Sequence, residues 1–234
     1  MKNLTLSTLF LMMCSFIFAQ DFNVEMNGFS KKKITFVTME NMEKMEINPS
    51  RIKFKKGLIE EVIYKNEAGE KVSIPIEDVK EMYIPFSDLA KMNATLATLS
   101  SMKKMANSDI KADILEKGYA YFVKSEVMIK KKKKRTLLMQ ALNPAFGSKI
   151  MVFMDPFASE TGGLAVGDIQ MTGGDSKSYY IKVGDEIAYR LYKKNYKDEF
   201  DDLFGDCKKM KKEFKKVKWS DFAKHVYYFE TECN

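Results

Sequence analysis

The sequence predicts an α+β protein: an antiparallel, strand-rich body with one inserted helix and a small C-terminal helical tail. Three observations carry this prediction. Period-two alternation of apolar and polar residues recurs up to Tyr192, a three–four apolar stripe interrupts it near 87–105, and after Asn195 the apolar spacing is helical. With 234 residues and 45% hydrophobic content, the chain can bury a core of its own.

The first segment is expected to be a signal peptide that is removed by cleavage. Lys2 supplies a short positive region, and residues 4–18 then run without a charge. A run of that length suits a secretory signal peptide and is short for a spanning helix, which needs about 20 apolar residues. Cleavage is expected after Ala19 or Gln20, giving a signal peptide at 1–19, a strand-rich body at 20–192 and a helical tail at 195–234. An uncleaved anchor and a lipoprotein processed at Cys14 are the alternatives. Met13 is a poor small residue for the second, and the apolar run continues past Cys14. The expected location is outside the cytoplasm, in the periplasm or at the outer membrane or cell surface.

Export gives the cysteines a meaning. Cys14 leaves with the leader, so the mature chain keeps Cys207 and Cys233, and an even number in an oxidising compartment reads as a disulfide. Such a bridge closes a loop of about 26 residues and stabilises by about 3.5 kcal/mol on a chain-entropy estimate. Two buried thiols are the other reading.

Within the body, residues 33–38 and 51–55 alternate with period two. Gly57 separates the second from an apolar run at 58–64, and a turn at 66–69 leads to 71–76. These segments are expected to form an antiparallel meander, with Pro75 at a strand end or edge. Ser87 is a plausible N-cap for the helix that carries Leu89, Met92, Leu96, Leu99 and Met102 on one face. Strand character returns at 119–129, 137–142 and 150–154, the last ended by a turn at Asp155 and Pro156. The glycine-rich stretch at 159–178 reads as a hairpin or loop pair, and 179–183 with 187–192 as a hairpin.

In the tail, Phe200, Leu203 and Phe204 mark a first helix ended by Gly205. Residues 208–217 suggest a second, with Met210, Phe214 and Val217 inward. Ser220 is the expected cap of a third, with Phe222, Val226 and Phe229 inward. The disulfide would clamp these helices together.

The net charge of +7 has a local source. Lys2 leaves with the leader, and Lys130, Lys131, Lys132, Lys133, Lys134 and Arg135 supply the whole excess that remains, so the rest of the mature chain is balanced. Adjacent like charges need a solvated position, so the run is expected at a hairpin tip or on an edge strand, where lysines block edge-to-edge pairing. Contact with anionic lipid or polysaccharide is the functional reading. Export and the lack of a recognition module argue against nucleic acid.

Catalytic patterns are few. His225 is the one histidine, which excludes multi-histidine zinc sites and H-E-x-x-H proteases. No G-x-S-x-G elbow accompanies it, and its place before Val226 suggests a surface or packed histidine. Neither a phosphate-binding glycine loop nor a calcium loop is present. Asp198, Glu199, Asp201, Asp202 and Asp206 are explained by helix-start electrostatics and solvation. No catalytic residue, metal ligand or cofactor is therefore assigned. A carboxylate-based hydrolase remains as the alternative to a non-catalytic binding protein.

The Asn143-Pro-Ala-Phe stretch, the segment 150–157, and the tail residues 179–183, 195–197 and 204–207 together resemble a loosely defined group of exported proteins of Gram-negative envelopes. That group combines a strand-rich body with a lysine-rich helical tail carrying two cysteines. The resemblance spans residues 115–234. It implies export and an envelope setting, and transfers no activity and no functional residues.

Overall fold

The computed structural model describes residues 22–26, 28–55, 58–87, 112–130, 133–158, 160–161, 165–166, 169–170 and 175–233. The expected leader at 1–19, Lys131, Lys132 and the expected helix beyond Ser87 lie outside the described residues.

Strands β1 (Thr35–Met39) and β2 (Lys44–Ile47) form a hairpin. The chain then changes sheets at Asn48. Strands β3 (Pro49–Lys55), β4 (Leu58–Lys65) and β5 (Lys71–Ile74) make a separate three-stranded antiparallel sheet. Pro49 has no N–H to give a ladder, so it serves at a strand start and marks the break. The expected continuous meander is thus divided, because β1 pairs with β2 and with the later strand β6 (Val79–Pro85) instead of with β3. The β4–β5 turn falls where expected: Gly69 sits at φ 81°, which favours glycine, and Asn66 Oδ1 accepts the Glu70 N–H at 2.8 Å. Pro75 directly follows β5 and starts a single 3₁₀ turn.

A short helix, α1 (Ala112–Glu116), which no sequence pattern anticipated, leads into the longest strand, β7 (Tyr119–Lys130). It pairs antiparallel with β8 (Lys133–Ala141), so Lys130 ends one strand and Lys133, Lys134 and Arg135 begin the next. Then come β9 (Ile150–Met154), the two-residue ladders β10 (Glu160–Thr161) with β13 (Asp175–Ser176) and β11 (Ala165–Val166) with β12 (Ile169–Gln170), and the hairpin β14 (Ser178–Val183) and β15 (Tyr189–Tyr192). The main sheet runs β15-β14-β9-β8-β7-β6-β1-β2. A parallel bridge between Val127 and Ala188 joins the far half of β7 to the start of β15, closing β7, β8, β9, β14 and β15 into a ring.

Alternation along β7 sorts side chains between two cores. Tyr119, Tyr121 and Val127 enter one, which also holds the tail. Ala120 and Phe122 enter the other, which is roofed by β3, β4 and β5. Strand β6 does the same, with Tyr83 on the first side and Met82 and Ile84 on the second.

The tail helices are α2 (Tyr196–Phe204), α3 (Lys208–Glu213) and α4 (Phe222–Glu232). Helix α3 is shorter than expected, leaving the helical conformation at Phe214. Lysines four apart (Lys208 with Lys212, Lys211 with Lys215) repel along an α-helix and oppose its extension to Val217. A 3₁₀ turn at Trp219–Asp221 precedes α4, and Asp221 rather than Ser220 is its N-cap. The tail does not have a core of its own: Tyr196, Phe200, Phe204, Trp219, Phe222 and Val226 share one with Phe146, Tyr180 and Ile181 of the body.

The residues just after the expected cleavage site are built into this body. Phe22 packs edge-on against Tyr179 and Phe222, Asn23 N–H donates to Leu142 O at 2.7 Å, and Gln140 holds Val24 O and Met26 N–H at 2.8 Å each.

Candidate functional site: the cationic arm

The described cations of the charged run, Lys133, Lys134 and Arg135, lie on an arm. Strand β6 pairs with β7 only as far as Val123, and β9 meets β8 only at the pair Ala141–Phe153. The rest of the β7–β8 hairpin therefore extends beyond its sheet neighbours, apart from the bridge at Ala188. Lys133, Lys134 and Arg135 are exposed on β8, and no carboxylate among the described residues pairs with them. The register places Lys133 opposite Lys130 and Lys134 opposite Met128. Side chains alternate across a strand, so the described cations point to both faces of the arm.

Below the arm an open groove separates it from the small sheet, lined by Leu58, Ile76, Glu77, Lys124, Leu137 and Leu138 among others. Lys124 is already neutralised: its ammonium lies 2.7 Å from Glu40 and also donates to Glu77 O. The groove continues past Ile76 and Glu77 to Lys53, Glu60, Glu61 and Ser73. There the Lys53 and Lys55 ammonium groups, 2.9 and 3.0 Å from Glu60, hold its carboxyl below the ordinary carboxylate range. Its two ion pairs account for this exposed carboxylate as part of the surface of the small sheet. Burial and then Asp202 push the Glu199 carboxyl up, but Glu199 lines neither groove.

A second polar cluster, unmarked in the sequence, lies at the base of the glycine-rich segment. The side chain of Asp155 is wholly buried and accepts from Ser178 Oγ at 2.6 Å and from Phe157 N–H at 2.9 Å. Arg190 Nη2 donates to Asp155 Oδ1 at 3.2 Å, while its Nε stands 2.7 Å from Oδ2 without the alignment of a hydrogen bond. The guanidinium also donates to the Tyr180 and Tyr192 hydroxyls and lies over the rings of Phe157, Tyr180 and Tyr192. Three hydrogen bonds and the ion pair thus make Asp155 a clamp that ties the end of β9 to β14 and β15.

His225 is packed rather than exposed. It is buried among Phe200, Phe204 and Phe214, its Nδ1 lies 2.5 Å from the Tyr196 hydroxyl, and its Nε2 has no partner among the described residues. Burial, opposed by Asp221 and reinforced by Lys224, pushes its pKa down to about 4. The imidazole is neutral in the fold, and an unfolded chain takes up its proton near the ordinary value of about 6.5. The stability this residue contributes is complete above about pH 6.5 and is lost as the pH falls toward about 4. The loss expected over that window is about 3 kcal/mol. Urea unfolding at pH 7, 5.5 and 4.5 measures it, and the double substitution Tyr196→Phe and His225→Phe is expected to remove this part of the pH dependence.

Cys207 and Cys233 are joined in a disulfide across 26 residues of sequence. Next to it, the Lys149 ammonium donates to the carbonyls of Phe229 and Glu230 at 3.1 and 3.2 Å and to that of Cys233. A cation at a helix C-terminus satisfies carbonyls that have no partner within the helix.

Among the described residues, no group of three or more His, Cys, Asp or Glu side chains could hold a metal ion, and no helix is long and apolar enough to cross a membrane. Comparison with protein-family models, curated proteins and solved structures yields no match.

Proposed function

We propose that this chain is an exported, non-catalytic protein of the cell envelope that binds an anionic surface component or partner through the β7–β8 arm. The observation that carries the reading is the exposure of Lys133, Lys134 and Arg135, unpaired among the described residues, beyond the sheet that supports the arm. Cations retained only for solubility can sit anywhere on a surface. Here Lys133, Lys134 and Arg135 lie together where the β7–β8 backbone leaves the body. The disulfide fits an oxidising compartment, and the charge-free run at 4–18 supplies the export signal.

Each basic side chain near an anionic surface contributes about 1 kcal/mol. Changing Lys133, Lys134 and Arg135 to glutamine is therefore expected to weaken retention by roughly a hundredfold at low salt. Co-sedimentation with phosphatidylglycerol vesicles and with an acidic polysaccharide, against phosphatidylcholine vesicles as the neutral control, measures the effect. Equal retention of wild type and variant on both anionic materials removes the arm from the function.

A further inference from the structure

The arm has a second property besides charge: its outer backbone edge has no strand partner among the described residues. Met128 N–H donates to Ala188 O at 2.7 Å and Glu126 O accepts the Ala188 N–H at 3.0 Å, so these two residues turn their backbone groups away from β8. In an antiparallel ladder such residues belong to the pairs that exchange no hydrogen bonds with each other. Their register partners, Lys134 and Thr136, therefore also turn their N–H and C=O outward. The other end of β8 agrees. Leu142 N–H donates outward to Val152 O at 2.8 Å, and counting back by twos returns to Leu138, Thr136 and Lys134. Strand β9 leaves after Ala141, and no described strand pairs with this edge from Lys134 to Leu138.

We infer that this edge takes an added strand: an extended acidic segment of a partner protein, hydrogen-bonded to Lys134, Thr136 and Leu138. The inference rests on the proposed role of the arm and names its partner. Three features select that occupant. Strand addition needs an unpaired edge, which β8 offers over five residues among those described. Charge complementarity asks for carboxylates, since Lys133, Lys134 and Arg135 flank the edge. The groove lined by Leu58, Ile76, Leu137 and Leu138 lies beside it and accepts the apolar side chains that alternate with the acids. A second copy of this chain is disfavoured, because pairing β8 with β8 would bring two cationic runs together.

The test uses the full mature chain and a fluorescent peptide of alternating glutamate and valine. Its N-methylated counterpart, with every second amide blocked, keeps the charge and loses the ladder. The protein variant Thr136→Pro removes one outward N–H and leaves the bonds between β7 and β8 in place. The peptide is expected to bind, and N-methylation or Thr136→Pro to weaken it by more than about tenfold, the worth of one or two backbone hydrogen bonds. Retention of Thr136→Pro on phosphatidylglycerol vesicles is expected to equal that of wild type. Equal affinity for both peptides, or no peptide binding while vesicles are still retained, overturns the added strand and leaves the cationic arm standing. Failure to bind either peptide or vesicles overturns both. Should Thr136→Pro not fold, the comparison of the two peptides on the wild-type protein decides alone.

Discussion

Replacing Asp155 by alanine is expected to destabilise the protein by about 3–5 kcal/mol, the range for removing one partner of a buried ion pair. The lower end is the better expectation, because the Arg190 side chain keeps 20% of its exposure. The substitution removes the acceptor of the Ser178 hydroxyl and of the Phe157 N–H, and leaves the guanidinium without its counter-charge. It also loosens the junction from which the chain leaves β9 and returns at β14. Asp155→Asn keeps an acceptor and should cost less. Removing Arg190 as well should recover part of the loss, since the two effects share one contact. Equilibrium unfolding in urea measures all three. A cost below about 1 kcal/mol for Asp155→Ala would place the pair among surface salt bridges instead.

Replacing both Cys207 and Cys233 by alanine is expected to lower stability by about 3.5 kcal/mol, from the 26-residue separation of the bridged positions. Both cysteines are buried in the core shared by tail and sheet, so the loss falls on the whole fold and not on a loose appendage. Lys149 still holds the carbonyls at the end of α4, and the tail aromatics still pack on the body. The variant should therefore fold, with a lower urea midpoint and a cooperative transition. Reduction of the wild type should reproduce the shift, and an unchanged midpoint would show that the bridge contributes nothing.

Much of this architecture is legible in the sequence, where one face of an element is buried and the other is wet. The alternation at 51–55 and the helical spacing of Phe200, Leu203 and Phe204 are of that kind, and β3 and α2 fall where they predict. Strand β6 is not, because Met82, Tyr83 and Ile84 are consecutive and all buried. The strand lies between two cores, which erases the period-two signal. Strand β2 is four residues of mixed charge whose partner defines it. The division of the first half into two sheets depends on which strands pair across distance, and Pro49 is its one local trace.

The candidate site was half legible. Its charge is plain in the run 130–135, but the direction of each backbone N–H on β8 follows from the register with β7 and the bridge at Ala188. The Asp155–Arg190 clamp left little trace. Asp155 before Pro156 reads as a turn residue, which it is, and Arg190 reads as the polar half of an alternating strand. Only the fold shows that they meet.

The measurement that tests the account most directly is fractionation of cells producing either the natural chain or the Lys133, Lys134 and Arg135 glutamine variant, with intact-mass analysis before and after reduction. The account predicts a mature chain beginning at Gln20 or Asp21, with Cys207 and Cys233 joined, held in the envelope fraction until high salt releases it. The variant should leave that fraction at low salt. A full-length chain in the cytoplasm with free thiols, or equal retention of both proteins at every salt concentration, would contradict it.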